Sequence, residues 1–471
     1  MALYDFDFGD GLTDPNSSYI DEEILACRNL IESNLIFDAI DRIEEVITLC
    51  IDHDYINDGL HFVEFLLSIS PYNSEYWSKK GFLLNSSGKP EEAIECFDKA
   101  LSLNPGDTDT LIEKSAAEES LGHLTQAEDS LNFVLDAEPT NEDALYSLGV
   151  LNQRRENFRK AISCFEKVLK LDPGYAEAHY ELGYCHENLG NYSSAMECYD
   201  KFLELDPYNP NGWYNRGIVL SKLNKPEQAV NSYDLAVSLK DDFASAWFNK
   251  GNVLAELGRI NEALSCFKKA YQIDNYDEST CYNLGNLYEQ QGDLISAIKY
   301  FTEAIKINDE YYEAYLSRGF CYDATGKYHF ALRDFNKAIA LSGDSVEAWY
   351  AKADLEYSLG KLEQSVRSYL SAIDITPENH QLWFSLAETY YEMGNWLDAL
   401  SAFDKCLNIN PDDASSMYGK AKINFLLNRT QEALTCLKNA FRIDPGIKQE
   451  FTKEYPEIKS SKLFRKLLGE N

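Results

Sequence analysis

The 471-residue chain sets 78 acidic side chains against 43 basic ones, a formal net charge of −35, and 45% of its residues are hydrophobic. That acidic excess argues against a phosphate-backbone binder, which needs a cationic surface, and favours neutral or cationic partners. No run of eighteen apolar residues suggests a membrane span, and the cysteines form no CxxC pair.

The opening residues, MALYDFDFGDGLTDPNSS, lack the basic and apolar regions of a signal peptide. Residues 1–17 read as a loose acidic tail, and a cytoplasmic location is expected. Residues 18–73 hold amphipathic stretches, EEILACRNLIESN, DAIDRIEEVITLCI and GLHFVEFLLSISP. They read as N-terminal capping helices that include one degenerate repeat, because Pro71 stands 34 residues before Pro105.

From Ser74 a period of 34 runs without insertion to residue 447, giving eleven units. Position 8 is always small, as in Gly81, Gly149, Gly251, Gly285 and Ala353. Position 20 is Ala or Ser, and position 24 is an aromatic ring or leucine, as in Phe97, Tyr199, Phe267 and Phe301. Position 32 is proline in seven units. Apolar residues three or four apart predict two helices per unit, with Gly258 ending the first and Asn261 capping the second in the unit that starts at Ala244. A single hairpin cannot bury its apolar face, but a stack can, so the chain reads as one array of hairpins. Leu463, Phe464, Leu467 and Leu468 form an apolar stripe that predicts a C-terminal capping helix within 448–471.

The pattern W-x2-L/K/R-G-x2-Y/L … A-x3-F/Y-x2-A … P resembles the tetratricopeptide repeat (TPR) family. The resemblance implies an all-α fold, a right-handed superhelical α-solenoid of tandem 34-residue helix-turn-helix repeats. It also implies a concave face lined by positions 2, 5, 6, 9, 12 and 13 of each first helix.

No arrangement in the chain points to catalysis. Cys96, Cys164, Cys198, Cys266 and Cys436 all occupy position 23, which reads as packing of small thiols. His179 and His186 are spaced for one helix face, but they occupy positions 4 and 11, which are core positions elsewhere. Gly88–Pro90 lacks the rest of a phosphate loop. The segments outside the repeats are too short for a separate catalytic domain. The chain therefore reads as non-enzymatic, with no cofactor and no metal.

Position 5 supplies Tyr146, Tyr180, Tyr214, Phe248 and Tyr282 to the implied groove. Position 6 supplies Asn215, Asn249 and Asn283, and position 9 adds Asn252 and Asn286. A carboxamide both donates and accepts, which suits peptide main chain. This series resembles the asparagine ladder in the TPR superhelix of O-linked N-acetylglucosamine transferase, which holds peptide backbone. Over the six columns sixteen acids, among them Glu177, Glu181 and Glu187, face four bases, Lys79, Arg154, Lys222 and Lys422. The Lys/Asn/Arg clamp of TPR domains that bind acidic chaperone tails is absent. The expected function is a protein–protein interaction scaffold whose acidic, Tyr/Asn-lined groove binds an extended basic or amphipathic polypeptide, with no nucleic acid and no membrane insertion. The alternative is structural self-association through the ends of the array.

Overall fold

A computed structural model describes residues 17–33 and 40–455, and among these it has 26 α-helices and no strand. Helix α1 (Ser17–Glu32) is followed by α2 (Ile40–Asp52) and α3 (Ile56–Ile69). Eleven pairs follow, from α4 (Ser74–Ser86) and α5 (Pro90–Leu103) to α24 (Ala414–Leu426) and α25 (Thr430–Ile443), and then α26 (Pro445–Glu454). Each pair has a 13-residue first helix at positions 1–13 and a 14-residue second helix at positions 17–30. Helices α2 and α3 keep the same register one period earlier.

The turn inside each hairpin is fixed by its position 15. That residue has a positive φ, between 58° and 79°, in all eleven units and at Asp54 one period before them. Eight of the eleven are glycine, which adopts this conformation without a Cβ penalty. The next N–H then reaches back to the carbonyl of position 11, as Lys89 does to Leu84 at 3.0 Å and Arg259 to Leu254 at 2.9 Å. Asn261 is not the expected cap: α15 (Ile260–Ile273) starts two residues earlier than that cap implies, behind Arg259, which makes no side-chain cap bond. Asn261 instead accepts a hydrogen bond from Gln291 at 3.0 Å. Side-chain caps concentrate on the first helices, where Asn73, Asp107, Asn141, Asn209, Asp277, Ser345, Asn379 and Asp413 accept N-terminal amides.

Within a hairpin the two helices meet where the small residue of position 8 faces the large residue of position 24. A Cβ built on Gly81, Gly149, Gly217 or Gly285 would lie 2.5–2.6 Å from the ring at position 24 of the same unit. Glycine at position 8 gives these rings their close approach, whereas Ala353 and Ala387 stand at position 8 in the units of the buried Tyr369 and Phe403. Between units, a base at position 7 pairs with an acid at position 25 of the preceding unit: Lys80 with Glu64 at 2.8 Å, Lys114 with Asp98 at 2.6 Å, Arg216 with Asp200 at 2.7 Å, and Lys420 with Asp404. The position 4 tryptophans add a second tie. Trp77, Trp213, Trp247, Trp349 and Trp383 each donate the indole N–H to a carbonyl six residues upstream, at 2.8–3.3 Å. His179 places Nε2 3.1 Å from Pro173 O, the equivalent carbonyl, so its spacing from His186 reflects packing.

The chain divides into two compact units, Met1–Lys240 and Asp241–Asn471. In the first, Ile20, Ile24 and Cys27 of α1 cover Ile43, Val46 and Ile47 of α2 and Phe62 and Val63 of α3. In the second, Ile447 and Phe451 of α26 are buried on Tyr418, Leu437 and Ala440. The last packed helix thus begins at Pro445, before the expected boundary at 448. The expected stripe of Leu463, Phe464, Leu467 and Leu468, and the acidic tail up to residue 16, lie outside the described residues.

Candidate functional site

In the N-terminal unit, α6 (Thr108–Ser120) and α8 (Glu142–Arg154) present equivalent faces of successive first helices. Between them lies an open recess of about 440 Å³ lined by Asp109, Ile112, Glu113, Asp143, Tyr146 and Ser147. Three carboxylates and no base face it. Burial raises the Glu113 carboxyl above its ordinary range, and the charges of Asp109 and Asp143 raise it further. The four bases of these columns are engaged near acids. Lys79 pairs with Glu75 at 2.8 Å and Arg154 with Glu119 at 2.8 Å. Lys222 lies near Glu187, and Lys422 near Glu388, close enough to lower each carboxyl against the raising effect of burial. Glu181 accepts from Gln153 Nε2 at 2.7 Å, and its own burial raises it. Glu177 is exposed.

In the C-terminal unit, α14 (Ala244–Glu256) and α16 (Glu278–Gln290) carry the amides. Asn283 donates from Nδ2 to Asn252 Oδ1 at 3.0 Å, so the two side chains are held in line across adjacent repeats. Asn249 and Asn286 are half-buried on the same helices. Farther along, Tyr391, Tyr418, Lys422, Phe425 and Leu426 line an apolar recess of about 260 Å³ with Leu437, Phe451 and Tyr455. The Lys422 ammonium sits 4.9 Å from the centre of the Tyr418 ring and 5.3 Å from that of Tyr391.

Tetratricopeptide repeat family models match residues 74–107, 146–210, 198–231, 242–310, 276–350 and 380–413, and a TPR repeat model matches 353–394. The chain belongs to the tetratricopeptide repeat family. No curated protein matches it. Solved structures similar to it include MamA, 26% identical over 34% of this chain and 94% of that one, with a TM-score of 0.34. YrrB, described as a TPR protein with an unusual peptide-binding site, is 20% identical over 41% of this chain and 98% of that one, with a TM-score of 0.37. The APC/C hetero-tetramer Cut9–Hcn1 is 14% identical over 88% of this chain and 95% of that one, with a TM-score of 0.39. Membership of the TPR family supports a protein-interaction scaffold. No helix among the described residues is long and apolar enough to cross a membrane.

Two of the predicted groove residues of this TPR chain are turned into the stack. Tyr180 is 9% exposed and Asn215 8% exposed, and Asn215 Nδ2 donates to the Tyr180 hydroxyl at 2.8 Å. The cause is a local exchange of sizes. Position 27 is Ala in most units but Phe202 here, and position 3 of the next unit, commonly Ala, is Gly212. A Cβ on Gly212 would lie 2.6 Å from the Phe202 ring, and Tyr180 packs edge-on against that ring at 5.1 Å. The remaining position 5 rings also serve packing. Tyr146, Tyr214, Phe248 and Tyr282 lie 5.6–6.1 Å from the position 24 rings of their own units, tilted or edge-on, and each keeps part of its surface exposed. Tyr391, Phe425 and Leu426 stand at positions 12 and 13, where the charge pattern of the columns gives no sign of an apolar recess.

Proposed function

We propose that this TPR chain is a non-catalytic scaffold whose first-helix faces hold extended polypeptide segments carrying basic and apolar side chains. The observation that carries this reading is the recess of Asp109, Glu113, Asp143 and Tyr146, where three carboxylates converge with no lining base. A lysine or arginine entering it would offset the repulsion from Asp109 and Asp143 and favour the charged form of Glu113. The Asn252–Asn283 pair supports main-chain contacts in the C-terminal unit, and the Tyr391–Phe425 recess suits an apolar side chain there.

A fluorescein-labelled peptide of about twelve residues with lysine at alternate positions tests this. Glu113→Gln combined with Asp143→Asn should weaken its binding about tenfold, the scale of two partly desolvated charge contacts. Binding should also fall on acidification. Because the folded Glu113 carboxyl lies above its ordinary range, it picks up its proton before an ordinary glutamate does, and attraction is lost from a correspondingly higher pH. Unchanged affinity in the double variant would sink the reading.

A further inference from the structure

We infer a second docking surface, on the opposite side of the repeats, that takes an acidic peptide segment. It spans α15, α16 (Glu278–Gln290), α17 (Leu294–Ile307), α18 (Tyr312–Ala324) and α19 (Tyr328–Leu341), all within the C-terminal unit. At about 100° per residue, first-helix positions 4, 7 and 11 share one stripe, and positions 5, 9 and 12 point the other way. Tyr288, Tyr315, Arg318 and Tyr322 occupy the former positions, so this surface does not overlap the proposed peptide face.

The surface is a chain of cations laid on rings. Lys268 Nζ lies 5.3 Å from the centre of Tyr288, Tyr288 stacks on Tyr300 at 5.5 Å and 4°, and Lys299 Nζ lies 5.1 Å from the centre of Tyr300. One repeat on, Lys327 stands over Tyr322 at 5.8 Å, Tyr322 meets Phe330 at 5.4 Å, and Arg333 covers Phe330 at 5.5 Å. Arg318 joins the two groups, donating to Thr302 Oγ1 of α17 at 3.0 Å while lying 5.8 Å from the centre of Tyr322. Lys337 over Tyr315 at 5.9 Å ends the series. Lys268, Lys299, Lys327, Arg333 and Lys337 are all exposed.

The carboxylates nearby are already engaged. Asp334 is held by Arg318 at 2.7 Å, with Arg333 farther off at 3.7 Å, Glu303 by Lys306 at 2.8 Å and Glu262 by Arg259 at 2.6 Å. An ammonium resting on a ring uses its inner side for the quadrupole and keeps outward N–H groups for an oxygen acceptor. Carboxylates of an acidic segment supply such acceptors at several points along the stripe. Single-stranded nucleic acid needs open ring faces for base stacking, and here Tyr288 lies between Lys268 and Tyr300. The chain's net charge of −35 also repels a long polyanion more than a short acidic peptide.

The test uses the full chain and a fluorescein-labelled peptide of about twelve residues rich in Asp and Glu, read by anisotropy at low salt. Lys299→Gln, Arg333→Gln and Lys337→Gln together should weaken binding about tenfold, while Lys99→Gln, Lys160→Gln and Lys167→Gln, an equal charge change on second helices of the N-terminal unit, should alter it less than about twofold. The two triple variants match in net charge, so a difference between them reports the stripe. Circular dichroism confirms that both remain helical, and Lys299→Arg should retain binding. Equal losses in the two triples, no saturable binding, or tighter competition by single-stranded oligouridylate would overturn the inference. Retention of acidic-peptide binding in Glu113→Gln/Asp143→Asn separates this surface from the lysine-peptide face.

Discussion

Gly285 and Phe301 show how a single residue sets the spacing of a hairpin. The ring at position 24 occupies the volume that a Cβ at position 8 would need, so the methyl of alanine would lie 2.5 Å from a ring carbon. Gly285→Ala should therefore destabilise the fold by up to about 2 kcal/mol, because overpacking costs about 1–3 kcal/mol against a helix-propensity gain of about 1 kcal/mol. Urea unfolding of the variant beside the parent chain checks the sign. The pairing of small with large was visible in the sequence, since both columns recur at 34 residues. The burial of Tyr180 and Asn215 was not, because it depends on Phe202 and Gly212 exchanging sizes across two neighbouring units.

At the scale of the hairpin, position 15 decides whether the second helix can fold back. Glu156 takes φ 59° there, a conformation costing an L-residue about 1 kcal/mol or more. Glu156→Gly should raise stability by about 0.5–1 kcal/mol, and Gly258→Ala, at the same position with φ 74°, should lower it by about 1 kcal/mol. Thermal unfolding midpoints moving in opposite directions would bear this out, and a fall in both would refute it. The same element view explains the misplaced cap at Asn261. The positive-φ turn bonds the position 16 N–H to the carbonyl of position 11 and so fixes where the second helix starts, which puts Arg259 rather than Asn261 at the cap position.

At the scale of the molecule, the main helix–helix contacts among the described residues join helices one or two apart in the chain, so stability is a series of nearest-neighbour terms. Arg318 and Asp334 are 6% and 1% exposed, and Arg318 also reaches Thr302 of the preceding unit. Arg318→Ala would leave a buried carboxylate without its main partner, a change worth about 3–5 kcal/mol. Hydrogen exchange should show the loss concentrated in residues 294–341, with amides of 40–205 keeping their protection. Uniform loss along the chain would contradict the nearest-neighbour description.

The amino-acid sequence by itself determined the period, the two helices in each unit, the small residue facing the ring, and the acidic bias of the first-helix columns. These are local or repeat-to-repeat properties, written wherever one side chain meets the next turn or its own hairpin partner. Only the tertiary structure decided which side chains of a column face outward. Tyr146 borders a recess while Tyr180, one period later, is buried, because Phe202 at position 27 of its own unit and Gly212 at position 3 of the next close the space around that ring. It also decided that Lys268, Lys299 and Lys327, unremarkable as letters, stand on the rings of adjacent helices, since that arrangement exists only once the hairpins are stacked.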